Sequence, residues 1–69
     1  MIIVNAAMRS DEIVEAVLKM EGKNIKFLKK VGLKHYFESD NEAVDGPDIK
    51  KMLKATPRFA ALYTAVSVE

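Results

Sequence analysis

No cysteine occurs in this 69-residue chain, and that absence narrows its folding options most. A chain of this length buries only about 60% of its unfolded surface, so its core is thin. Small scaffolds commonly gain a staple from disulfides, a metal or a second subunit. Without cysteine, disulfides and thiolate metal sites are both excluded. The single histidine leaves a zinc site dependent on carboxylates. The remaining routes are close packing or self-association. The charge balance of +1 points to no nucleic-acid or membrane partner as a global property. The opening apolar run, Ile2-Ile3-Val4, ends at Asn5 and is too short to span a membrane. The composition therefore predicts one cytoplasmic domain over residues 1–69.

Residues 2–8 read as a strand with little polarity on either face. A helix follows over about 10–21, with Ser10 as its cap and Asp11 and Glu12 at the positive end of its dipole. Ile13, Val17 and Met20 recur at helical spacing, and Gly22 suits the left-handed position after a helix. Residues 24–38 favour a β-hairpin turning near Gly32, because their aromatic and β-branched residues suit strands. A helix over 24–31 is the alternative, since Leu28 breaks the alternation and Lys29 falls on the apolar face. Residues 39–46 read as a loop. Gly46-Pro47 reads as the start of a second helix that Pro57 stops, with Thr56 extended before the proline. Residues 58–68 read as the last strand.

The order strand, helix, strand, strand, helix, strand is that of a ferredoxin-like βαββαβ plait. This is an α+β two-layer sandwich with a four-stranded antiparallel sheet and two helices on one face. With a helix over 24–31, a three-stranded α+β sandwich remains. The outer strands do not alternate cleanly, so apolar surface is expected on the sheet face away from the helices. Such a patch commonly marks an interaction site.

Charge is segregated. Six lysines and one acid lie from Lys19 to Lys34, and five acids without a base from Glu38 to Asp48. As a hairpin, Lys26 and Lys30 share the open face, with Lys34 and Tyr36 beside them. Lysines next to an aromatic are what single-stranded nucleic acid uses. The RNA-recognition motif shares the strand order, but its signature fails at Val31-Gly32-Leu33, which lacks the basic residue and the aromatic around the glycine. Guarding an edge strand is the other role open to these lysines. The acidic loop does not match an EF-hand in either frame. Asp45 and Asp48 are expected at the second helix's N-terminus.

His35 lies between Leu33 and Phe37 on an alternating strand and is expected at the core margin. Ser10, Ser39 and Ser67 have no motif placing a base beside them, and the three glycines stand singly. The sequence therefore predicts no catalytic residue, no metal and no cofactor. It predicts a non-enzymatic interaction or regulatory module, a homodimer that also takes a protein partner through an open sheet face or an edge strand. Its expected contact residues are Tyr36, Phe59, Tyr63, Lys26, Lys30 and Lys34. Weak binding of single-stranded nucleic acid through the lysine-rich hairpin is the alternative.

Overall fold

A computed structural model describes residues 1–62 and 64–69. Strand β1 (Ile2–Ala6) leads to helix α1 (Ser10–Leu18), then strands β2 (Ile25–Val31) and β3 (Lys34–Ser39). Helix α2 (Glu42–Ala55), the single turn α3 (Pro57–Ala60) and strand β4 (Thr64–Val68) complete the chain. The four strands form one antiparallel sheet in the order β2-β3-β1-β4, so β2 and β4 are its edges.

One face of the sheet holds the core. Ile2, Val4 and Ala6 of β1 and Phe37 of β3 pack with Ile13 and Val17 of α1, Ile49 and Leu53 of α2, and Phe59 of α3. Helical spacing puts Ile13 and Val17 on one side of α1, and β1 sends alternate residues inward. The hairpin forms because Gly32 takes a positive φ of 59° and joins Val31 to Lys34 through a two-residue turn. A glycine at the first turn position is the type II′ pattern, whose twist suits paired strands.

Three expectations need correction. The region after Pro57 is not strand throughout. Thr56 is extended as expected before proline, at φ −89° and ψ 113°. Its carbonyl then accepts the N–H groups of Phe59 at 2.9 Å and Ala60 at 2.8 Å. Pro57 ends α2 and also starts α3, because its fixed φ suits the first helical position. The described residues thus form three helices, and the last strand begins at Thr64.

The second helix begins at Glu42 rather than at Gly46-Pro47. The Asn41 carbonyl accepts the N–H of Asp45 at 2.8 Å, closing a turn ahead of the proline. Pro47 then sits inside α2, where it lacks the N–H that would bond four residues back. Gly46 has a packing role: a Cβ there would collide with a Val68 methyl, so α2 passes close to the end of β4.

The first helix is shorter than expected and is capped differently. Arg9, in the left-handed conformation at φ 55°, precedes it, and Ser10 is already helical without a side-chain cap. Gly22 does take a positive φ of 73°, but in the loop beyond the helix, which ends at Leu18.

That loop is tied to α2 by charge. Lys23 Nζ donates to Asp45 Oδ1 at 3.0 Å and to Asp48 Oδ2 at 2.6 Å. Asp45 and Asp48 thus serve a tertiary ion pair besides their place near the start of α2. The two carboxylates hold the Lys23 ammonium above the ordinary lysine range. The Lys23 hydrogen bond holds the Asp45 carboxyl below its usual range, against the opposing effect of burial. Because the folded value of Asp45 is lowered, its stabilisation is present above about pH 4 and is lost as the pH falls through that folded value. Lys23→Met leaves the buried Asp45 carboxylate without this partner. Its thermal midpoint is expected to fall several degrees at pH 7, whereas Lys51→Met, at an exposed position, changes little. The acid-induced fall in midpoint should also be shallower in Lys23→Met.

Candidate interaction surfaces

The two edges of the sheet are built differently, and a β-bulge accounts for much of the difference. The β2–β3 register runs Lys26–Glu38 and Phe27–Phe37, then shifts, resuming at Lys29–Tyr36, Lys30–His35 and Val31–Lys34. Leu28 is the extra residue. A bulge flips the side-chain alternation beyond it. Lys29, not Lys30, therefore joins Lys26, Lys34 and Tyr36 on the face away from the helices. Lys30 falls on the helix-side face, in register with the buried His35. This corrects the expected grouping of Lys26 with Lys30, and the break in alternation at Leu28 was its signal.

On the open face Ile3 is in register with Tyr36 and Ser67 and is only 4% exposed. The Lys29 ammonium lies 5.1 Å from the centre of the Tyr36 ring, a cation–π contact worth about 0.5–1 kcal/mol at an exposed site. The open face is therefore more polar than its sequence implied, with Asn5, Lys26, Lys34, Glu38 and Ser67 also in register there.

A run of exposed apolar residues lies along β2 and its turn. Phe27, Leu28, Val31 and Leu33 are 39%, 42%, 53% and 57% exposed. Phe27 tilts against Phe37 with ring centres 5.4 Å apart, and its outer side stays uncovered. The helices protect the sheet under β1 and β3 but leave most of β2 exposed. Sequence reading did not single out these four residues as a group.

The opposite edge reads Thr64-Ala65-Val66-Ser67-Val68. It pairs with β1 in unbroken register from Ile2–Val68 to Ala6–Thr64. It has no charge, proline, glycine or bulge, the devices that blunt an edge strand. Three of its five residues are β-branched, which favours further strand pairing. Its outer side pairs with no strand among the described residues.

The other expected contact residues divide. Tyr36 and Lys34 are on the open face, as expected. Phe59 is not an anchor for a partner: α3 turns it into the core, where it is buried. Tyr63 lies outside the described residues. His35 is deeper than the core margin, at 1% exposed, and its Nδ1–H donates to the Val4 carbonyl at 3.1 Å. Its Nε2 is buried without a hydrogen-bond partner among the described residues.

Other surface features have local explanations. A hollow of about 400 Å³ lies between α1 and the α2–α3 junction. Its charged lining pairs internally, Lys19 with Glu15 at 2.5 Å and Arg58 with Glu12 at 3.8 Å. Among the described residues no three His, Cys, Asp or Glu side chains are grouped to hold a metal. Among them, too, no helix is long and apolar enough to cross a membrane. Comparison with protein-family models, curated proteins and solved structures finds no significant match to the chain.

Proposed function

We propose that this chain is a small non-enzymatic protein-interaction module that self-associates, two copies pairing antiparallel through β4. The observation behind this reading is the contrast between the two edges of one sheet. Edge β2 carries Lys26, Lys29 and Lys30 and a bulge, which oppose pairing with a like strand, whereas β4 is regular and uncharged. A two-fold axis through Val66 sets Val66 against itself, Ala65 against Ser67 of the second copy, and Thr64 against Val68. No charge meets a like charge in that pairing, and β-branched residues meet across the seam. Such an isologous contact closes on itself and extends the two sheets into one of eight strands.

The strand order and the antiparallel neighbours also favour reading the fold as a ferredoxin-like βαββαβ plait with α3 added before the last strand. The absence of cysteine is in keeping with a cytoplasmic setting. The alternative, single-stranded nucleic acid on the hairpin, has weaker support. Lys29 covers the Tyr36 ring that a base would stack on, and Lys30 lies on the other face.

Sedimentation equilibrium tests the proposal. The average mass should climb from one chain toward two between micromolar and millimolar concentration. A single-chain mass across that whole range would remove the dimer.

A further inference from the structure

The β2 arm differs from β4 in both charge and exposed apolar area. Its four exposed apolar residues fall within seven positions, from Phe27 to Leu33. They do not lie on one plane. Phe27 is on the helix-side face, Leu28 is at the bulge, Val31 is on the open face and Leu33 is in the turn. Around them stand Lys26, Lys29, Lys30 and Lys34, all exposed. Among the described residues none of these lysines forms an ion pair, whereas Lys19 and Lys23 both do. Glu38, in register with Lys26, is the one acid in register with β2.

We infer that the β2 arm is a docking surface for an acidic protein segment that presents aliphatic side chains. The lysines supply charge complementarity and the apolar residues supply area to bury. A second copy of this chain does not fit, because antiparallel β2 pairing would set lysines against lysines. A lipid surface fits poorly, since a plane meets one side of the strand while the apolar residues wrap around its edge. A nucleic acid would want several free aromatic faces in a row, but Tyr36 lies under Lys29, and Phe27, the other accessible ring of the hairpin, is on the opposite face of the sheet. A protein segment running along the edge can touch all four apolar residues and lie within reach of the lysines.

The test uses the whole chain and a short synthetic peptide alternating glutamate with leucine, followed by amide chemical shifts. Shift changes are expected within residues 26–34. The double variant Leu28→Ser, Val31→Ser should bind about tenfold more weakly, and so should Lys29→Glu, Lys30→Glu. All four positions are exposed, and circular dichroism verifies that the variants stay folded. Raising salt from about 0.1 M to about 1 M shortens the screening length from about 10 Å to about 3 Å and should weaken binding markedly. The same peptide with lysine for glutamate should not bind. The inference is overturned if the acidic peptide causes no shifts at millimolar concentration, or causes them elsewhere. It is also overturned if both variants bind as the natural chain does. Binding of phosphatidylserine vesicles or oligo-dT, but not of the peptide, would overturn it as well. Sedimentation of the β2 variants separates this surface from the dimer edge, because their self-association should be unchanged.

Discussion

The double variant Ala65→Lys, Ser67→Lys is expected to be folded but monomeric where the natural chain is dimeric. Both positions are in register with open-face residues of β1, Ala65 with Asn5 and Ser67 with Ile3, so longer side chains there point away from the core. In the two-fold pairing each new lysine opposes a lysine of the second copy, twice across the seam. Like charges directly opposite each other on paired strands are destabilising, by roughly 0.2–1 kcal/mol per pair. Two such pairs, roughly 0.4–2 kcal/mol together, weaken the dimer by about two- to thirtyfold, since 1.4 kcal/mol is a factor of ten. The converse variant, Ala65→Glu, Ser67→Glu, should also be monomeric, and an equal mixture of the two should dimerise again. Sedimentation of the variants separately and mixed checks this. If the lysine variant dimerises as tightly as the natural chain, or if mixing restores nothing, the β4 seam is wrong. The restoring mixture matters most, because a merely damaged fold would not recover on meeting its opposite.

Replacing Phe37 by alanine is expected to abolish cooperative folding. Phe37 is fully buried at the centre of β3, between Ile2 on one neighbouring strand and Phe27 on the other. Truncating a buried phenylalanine to alanine costs about 3–5 kcal/mol in transfer and cavity terms. A domain of this size holds only about 3–10 kcal/mol in total, at about 0.05–0.15 kcal/mol per residue. Urea denaturation followed by circular dichroism should show no cooperative transition for Phe37→Ala. Phe37→Leu should keep a transition at lower urea. A Phe37→Ala transition within about 1 kcal/mol of the natural chain would mean that the core does not centre on this ring. Both measurements need a fixed protein concentration, because dimerisation makes stability depend on it.

The α1 core face was legible because Ile13 and Val17 repeat at helical spacing, and the hairpin because Gly32 separates two strand-like runs. The sequence signals that misled each had two physical meanings. Pro57 stops one helix, but the same fixed φ begins another, so Arg58–Ala60 read as strand when they form α3. Gly46-Pro47 resembles a helix start, yet the Asn41 carbonyl closes a turn ahead of it, and Gly46 makes room for Val68. The candidate surfaces were less legible than the fold. Leu28 and Lys29 read as a defect in alternation. A bulge turns that defect into a regrouping of the lysines and leaves Leu28 outward. Phe59 looked available to a partner only because α3 was missed. The uncharged run from Thr64 to Val68 was visible from the start, but its meaning depends on strand order. Only once β4 lies at an edge does the lack of charge leave an unguarded edge.

Amide hydrogen exchange at β4, measured at several protein concentrations, tests the edge pairing most directly. An isolated edge strand has every second N–H pointing outward to water, and pairing with a second copy covers those groups. The alternate amides of Thr64–Val68 that point away from β1 should exchange more slowly as concentration rises from micromolar to millimolar, and those of β2 should not change. Outward β4 amides that exchange equally fast at both ends of that range would contradict the account.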